Sequence, residues 1–204
     1  MTENPGQSAP TSPPQASAAT PDPLGLWAFT VGAFLGNLPD TGLVAHAGLT
    51  ITVAVLLGGA TQLLAGLQAF RVGSTFAATA FSAFGLFWIV IGLNDWLTGL
   101  HLLPSTDLTT LGWYLIAWTV FAVLLFGAAL RLNRALAVTV GLSCFGLLAK
   151  AVGCFTGQIV STRIGAWLLI ACAATALYTT AAQFWNNAYQ RTVLPLGKPA
   201  PHMR

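Results

Sequence analysis

This chain carries very little charge. Asp, Glu, Lys and Arg together make up 6% of its 204 residues, whereas about 25% is usual in soluble domains. Hydrophobic residues make up 55% of the chain, and the mean hydropathy is +0.74. The composition excludes an ordinary soluble domain. The pI of about 9.0 reflects where the few basic residues fall along the chain, and we do not expect nucleic-acid binding.

The chain also lacks the motifs of catalysis and of cofactor binding. Its cysteines, Cys144, Cys154 and Cys172, lie in apolar stretches without metal-ligand spacing, which is typical of small buried hydrophobic side chains. The sequence shows neither a phosphate-binding glycine loop nor a nucleophile–base pair. We therefore expect neither an enzyme nor a bound cofactor or metal. Without an ATP site, a transported solute moves down its own gradient or with protons, which favours a channel or a weakly coupled carrier.

Six apolar runs, joined by short loops, dominate the sequence. A helix that spans a bilayer needs ~20 apolar residues to cross ~30 Å of hydrocarbon. The runs are Leu24–Val44, Ala45–Phe70, Thr75–Leu97, Leu111–Leu130, Ala135–Phe155 and Gly165–Trp185. They predict an all-α, polytopic membrane domain of six transmembrane helices over residues 24–187.

Basic residues fall on alternate connections between these runs. One side of the predicted membrane carries Arg163 alone, and the other carries Arg71, Arg131, Arg134, Arg191, Lys198 and Arg204. Basic residues accumulate on the cytoplasmic side of membrane proteins. We therefore expect a multi-pass protein of the cytoplasmic membrane with both termini in the cytoplasm.

The two ends of the chain differ from the runs between them. Residues 1–23 are rich in Pro, Ser, Ala, Thr and Gln and show no apolar periodicity. Such a stretch cannot bury enough surface to offset the entropy of ordering it, so we expect a disordered cytoplasmic tail. It also lacks the basic and apolar regions of a signal peptide. We expect a second cytoplasmic tail over residues 188–204.

Two features predict how the helices are arranged. Pro39 falls inside the first run, where it removes a backbone hydrogen bond, so the first helix should kink or end near Leu38. Leu24–Trp27 at the start of the first run is echoed by Leu111–Tyr114 at the start of the fourth. Two halves of three helices each insert in opposite orientations, because three is an odd number. Inverted repeats of this kind place a permeation path between the halves.

Polar side chains within the spans are the candidates for function, because a polar group in lipid needs a partner. Asn37 and Gln62 are difficult to accommodate, since each amide brings donors and an acceptor. Ser143 and Lys150 lie seven residues apart and share one face of the fifth helix. A cation beside a hydroxyl would attract an anion there. The alternative is that Lys150, which is close to the outer end of its run, simply extends to the membrane surface.

A series of motifs resembles the acetate/succinate transporter family, which includes bacterial acetate permeases and their fungal relatives. Pro21–Leu26 is similar to the family signature asparagine-proline-alanine-proline-leucine-glycine-leucine, although Thr20 and Asp22 replace its asparagine and alanine. The resemblance closes with the specific motif Arg191–Gly197 and keeps one register throughout. The other matching stretches are Gly58–Gln62, Ala65–Leu67, Gly73–Phe76, Thr79–Phe81, Phe87–Trp88, Tyr114–Leu115 and Trp118.

This resemblance implies a bundle similar to that of urea channels, assembled as a homo-hexamer with one pore per subunit. It implies passage of acetate and related small carboxylates, with succinate as a further substrate. The family's hydrophobic constriction of phenylalanine, tyrosine and leucine falls on Phe29, Phe84 and Ser143, and the serine should widen or wet the narrow point. A glutamate expected late in the sixth helix is Gln183. The candidates for lining the pore or attracting the anion are Asn37, Gln62, Lys150 and Gln183.

Two alternatives to carboxylate transport remain open at the level of sequence. The same bundle suits a channel for small neutral solutes such as urea or an alcohol. The other alternative is a membrane sensor or assembly partner that signals through its cytoplasmic tail.

Overall fold

The computed structural model describes residues 19–44 and 48–199, which are helical and contain no β-strand. Five of the helices in this part of the chain are long and apolar enough to cross a membrane, and α1 is shorter. The helices are α1 (Asp22–Asn37), α2 (Gly48–Arg71), α3 (Thr75–Gly99), α4 (Leu108–Ala129), α5 (Arg134–Thr156) and α6 (Ile159–Ala188). The predicted all-α membrane class is confirmed. Most of the N-terminal tail that we predicted over residues 1–23 lies outside the described residues.

The first helix ends where the proline predicts. Its last residue is Asn37, and Pro39–Thr41 forms a 3-10 turn that Gly42 closes in the left-handed region, at φ 84°. The Thr41 hydroxyl donates to the carbonyl of Leu38 at 2.6 Å and so fixes the turn. The run that we read from Leu24 to Val44 is therefore not one continuous helix. α1 has 16 residues, about 24 Å at ~1.5 Å per residue.

The sixth helix is longer than its apolar run. It begins at Ile159 rather than at Gly165, so Arg163 lies in its second turn and not in a loop. The physical reason is that hydropathy marks the part of a helix within hydrocarbon, whereas the hydrogen-bonded helix continues where long basic side chains reach water.

At the start of α4, the Asp107 carboxylate caps the helix and accepts a hydrogen bond from the amide of Thr110 at 2.9 Å.

Close contacts between helix backbones recur in the two halves of the chain. A Cβ atom built on Gly85 of α3 would lie 2.7 Å from the amide nitrogen of Leu63 and 2.9 Å from the carbonyl oxygen of Gly59, both in α2. A Cβ built on Gly165 of α6 would lie 2.8 Å from the amide nitrogen of Lys150 in α5. The backbone of Lys150 thus lies against Gly165 in the second half as the backbone of Leu63 lies against Gly85 in the first, and the two positions are equivalent in the repeat. Small residues allow this approach in lipid, where burial alone does not drive helices together.

The two halves run in opposite directions. α1 finishes and α4 starts at one end of the bundle, where Asn37 and Leu108 line the same cavity. We call this the cavity end, and we call the opposite end, which holds Asp22, Arg71 and Ala188, the tail end. The structure therefore contains the inverted repeat that the echo between Leu24–Trp27 and Leu111–Tyr114 predicted.

The segment Arg191–Gly197 is bound to the tail end of the bundle. The amide of Ala135, in the first turn of α5, donates to the carbonyl of Leu196 at 3.0 Å. The Tyr178 hydroxyl of α6 donates to the carbonyl of Pro195 at 2.7 Å. This specific motif therefore fixes the chain after α6 against the start of α5.

We predict that Gly85→Ala destabilises the fold. Its new methyl group would meet backbone atoms of α2, which cannot rotate away, so the helices must separate. Overpacking of this kind costs about 1–3 kcal/mol and should lower the melting temperature of the protein in detergent.

The matched control is Gly127→Ala in α4, where a Cβ has nothing within 4 Å. This variant should melt at the wild-type temperature or slightly above it, because alanine is the better helix former. Equal melting temperatures for the two variants would contradict the close approach of α2 and α3.

Candidate functional site

A cavity of about 920 Å³ enters the bundle from the cavity end. Its volume is in the range of small-molecule binding sites. Residues of α1, α3, α4, α5 and α6 line it, whereas none of the described lining residues belongs to α2. The wall extends from polar residues near the helix ends, such as Asp95, Ser105 and Gln158, to Phe29 and Phe84 within the bundle. The cavity therefore lies where helices of both halves meet.

The inner part of the cavity is aromatic. The rings of Phe29 and Phe84 meet edge to face, with centroids 5.5 Å apart. Phe84 also contacts Trp118 at 5.5 Å and Phe87 at 6.2 Å between centroids. Both phenylalanines of the pair are buried, and edge-to-face packing favours a fixed arrangement of such rings. The structure thus holds the aromatic pair in place from several sides.

Ser143 lines the same cavity, as Phe29 and Phe84 do. Its hydroxyl donates to the carbonyl of Val140 on its own helix at 2.7 Å, so the proton is already engaged. What Ser143 offers the cavity is a small side chain with an oxygen acceptor. The three residues of the predicted constriction therefore line one cavity.

A charged cluster lies on the cavity wall. The Lys150 ammonium is 2.7 Å from an Asp40 carboxylate oxygen, and it donates to the Asn37 amide oxygen at 2.8 Å. The Asn37 amide nitrogen donates to the carbonyl of Ala33 at 2.8 Å, which directs the amide oxygen at Lys150. The Lys150 side chain is only 17% exposed. It is held between α5 and the end of α1 rather than extended to the membrane surface.

Neighbouring elements set the direction of the Lys150 side chain. Gly165 of α6 lies against its aliphatic chain, and a Cβ there would be 2.6 Å from the Lys150 Cγ. A second cation is close, since the Arg163 guanidinium would be 3.2 Å from a Cβ built on Gly42, two residues after Asp40. The turn that ends α1 is therefore bordered by two basic side chains from different helices.

Two other predicted residues do not line this cavity. Gln62 is 1% exposed and directly follows the π-helical segment Ala54–Thr61 of α2, a helix with no described residue on the cavity wall. Gln183 lies near the tail end of α6. In each, the amide oxygen is buried and has no hydrogen-bond partner among the described residues. Their residue type predicted a need for partners, but it did not predict which way they face.

Sequence reasoning missed Asp40 as a site residue. It is not among the residues that the sequence predicted to line the pore or attract the anion, which were Asn37, Gln62, Lys150 and Gln183. A usable signal was present, because Asp40 follows Asn37 by three residues and comes directly after the proline that ends the helix. A chain that turns at a helix end can direct both side chains to one point.

The fold and the cavity define a polytopic helical membrane protein with a solute-sized site between two inverted halves. A model described as the GPR1/FUN34/yaaH family matches residues 2–198, and the chain belongs to that family. The Succinate-acetate/proton symporter SatP of Escherichia coli (strain K12) is 34% identical over 185 residues, which cover 88% of this chain and 96% of that protein. This agrees with the resemblance stated from the motifs.

Two further comparisons concern a solved structure and a yeast relative. The structure of the bacterial acetate channel SatP has a TM-score of 0.87 and 31% identity, and the match covers 89% of this chain and all of that one. Ammonia transport outward protein 3 of Saccharomyces cerevisiae is 34% identical over 119 residues, or 55% of this chain and 43% of that protein. The solved structure confirms the fold over most of the chain.

We predict that Cys154 reacts with a water-soluble methanethiosulfonate reagent and that Cys172 does not. Cys154 lines the cavity, whereas Cys172 is fully buried, and reaction requires an accessible thiol. Mass spectrometry of the purified protein in detergent gives the modified positions.

The control is Cys154→Ala, which should remain unmodified under the same conditions. Modification of Cys172 at a similar rate, or no modification of Cys154, would contradict a water-accessible cavity.

Proposed function

We propose that this chain transports acetate and related small carboxylates through the cavity, with succinate as a further substrate. The observation that carries the proposal is the combination, in one cavity, of an ammonium group at Lys150 with the aromatic pair Phe29 and Phe84. The similarity to a protein named for succinate and acetate symport and to a solved acetate channel supports it.

The cavity supplies what a carboxylate needs inside a membrane protein. An unpaired carboxylate in hydrocarbon is strongly disfavoured. Lys150 offers a cation, and polar side chains such as those of Asn94 and Thr106 line the same wall. An acetate ion can exchange part of its hydration for these groups before it reaches the aromatic pair.

The aromatic pair acts as a hydrophobic gate in this proposal. Phe29 and Phe84 line the cavity, and a narrow apolar passage excludes hydrated ions by dewetting. A small carboxylate differs from such ions because it carries an apolar carbon end. Ser143 on the wall of the same cavity adds space where the family has leucine, which favours the passage of larger or more polar acids.

The membrane arrangement and the assembly are part of the proposal. The tail end carries Arg71, Arg131 and Arg134, so both termini are cytoplasmic and the cavity opens to the outside. The chain assembles as a homo-hexamer with one pathway per subunit, as the motif resemblance implies. Cross-linking in native membranes, followed by mass determination, tests the hexamer.

We predict that Ser143→Leu lowers succinate uptake more than acetate uptake. Leucine takes up more of the cavity at this position than serine does, and the larger acid loses more from that space. About 1.4 kcal/mol of added barrier gives a tenfold slower flux, and we expect about this for succinate. The measurement is uptake of radiolabelled acids into liposomes that contain the purified protein.

Ser143→Ala is the control for this experiment. Its effect should be small, because the lost hydroxyl donates only to its own helix. If Ser143→Leu changes neither flux, the constriction lies elsewhere.

A neutral solute is the second candidate, and the similarity to a yeast protein named for outward ammonia transport favours it. Competition separates the two functions. We expect unlabelled acetate and propionate to inhibit uptake of labelled acetate, and urea and methylamine at the same concentration to leave it unchanged. Inhibition by the neutral solute or the amine, without inhibition by propionate, would support the second candidate instead.

A further inference from the structure

The cation on the cavity wall already holds a carboxylate. Asp40 lies 2.7 Å from the Lys150 ammonium, which is the position that a substrate carboxylate would take. The geometry points to Asp40 as an internal competitor of the substrate: the substrate carboxylate replaces Asp40 on Lys150 during passage, and Asp40 returns when the substrate leaves. This inference rests on the proposed function.

The two partners of Lys150 differ in how easily they can be replaced. Asn37 is 3% exposed, belongs to α1, and is fixed by its hydrogen bond to Ala33. The Asp40 side chain is 29% exposed and stands on the 3-10 turn beyond the end of α1. An ammonium group has three donors, and these residues accept two of them. The exposed partner is the one that can exchange, while Asn37 continues to hold the ammonium in place.

A second cation borders the turn that carries Asp40. The Arg163 guanidinium lies against Gly42, two residues further along, and Arg163 is absent from the cavity wall. Among the described residues, the other charged side chain on the wall is Asp95 of α3. A carboxylate that moves from Lys150 toward Arg163 therefore exchanges one cation for another and leaves the cavity side of Lys150 to the substrate.

Competition between Asp40 and the substrate for Lys150 keeps the affinity for the substrate moderate, as transport requires. Passage needs a site that binds well enough to admit the substrate and weakly enough to release it. A partly buried ammonium without a carboxylate partner would retain an anion. A carboxylate tethered nearby acts at a high effective concentration, so Asp40 lowers the apparent affinity and speeds release.

The test is the concentration dependence of acetate uptake by Asp40→Asn in liposomes. Asparagine keeps the shape and can still accept a hydrogen bond from Lys150, but it no longer competes as a carboxylate. We expect the half-saturating acetate concentration to fall about fivefold, the factor that corresponds to a partly exposed ion pair. The maximal rate should fall as well, because release becomes slower.

Asp107→Asn is the matched control. It removes the same charge at the cavity end, outside the cavity wall, and asparagine also caps helices well. It should leave the half-saturating concentration unchanged. Size-exclusion chromatography of each variant verifies that the protein is folded.

Lys150→Met tests the pairing itself. If Asp40 acts through Lys150, Asp40→Asn shifts the half-saturating concentration in the wild-type protein but not in the Lys150→Met background. A purely structural ion pair would change stability without this dependence. An unchanged half-saturating concentration in Asp40→Asn, or the same shift in both backgrounds, overturns the inference.

Arg163→Gln tests the exchange with Asp40 intact, should Asp40→Asn not fold. Loss of the second cation makes displacement of Asp40 harder, so the half-saturating concentration should rise. An unchanged or lower value contradicts the exchange. If the wild-type protein takes up acetate and these variants behave as the wild type does, the exchange is overturned but the proposed function is not. If the wild-type protein takes up no acetate, both the proposed function and the exchange are overturned.

Discussion

The ion pair between Lys150 and Asp40 joins α5 to the turn after α1 at the cavity wall. A charge within a membrane domain requires a partner, and this one is supplied by the turn that follows α1. Pro39 ends α1 and thereby allows the turn, while Gly165 allows α6 to lie directly against Lys150. The same contacts that satisfy the charge therefore position it on the wall. In the first half of the repeat the equivalent place is taken by Leu63, so the two halves differ in charge at this point.

Much of the fold follows from the sequence, and its limits are physical. Low charge and long apolar runs are sufficient to predict a helical membrane protein. In lipid, each backbone N–H and C=O group must be hydrogen-bonded within the protein, and a continuous helix achieves this within a single run. Helix ends are less predictable, since hydropathy reports the hydrocarbon-spanning part of a helix and not its last hydrogen bond. This is why α6 begins at Ile159, before its apolar run. Pro39 predicted its boundary well because it acts on the backbone directly.

The site was predictable only in part. Phe29, Phe84 and Ser143 were placed together by the register of the motif resemblance, and the structure brings them to one cavity. Lys150 was identified because a cation in a span is rare. Its partner Asp40 was not, since the two are distant in sequence and their contact depends on where α1 stops. Gln62 shows a different limit: an amide in a span needs partners, but this does not say which way it faces, and Gln62 does not line this cavity.

The most direct test of a carboxylate path along this wall is a distance measurement between substrate and protein. Lys150 and Lys198 are the two lysines of the chain, so labelling the lysine side chains with ¹⁵N gives two ammonium signals in solid-state NMR of the protein in liposomes. With acetate labelled with ¹³C at its carboxyl carbon, dipolar dephasing should place that carbon within about 4 Å of the Lys150 ammonium, the distance of an ion pair. Dephasing of Lys198 alone, or of neither signal at saturating acetate, would contradict the account.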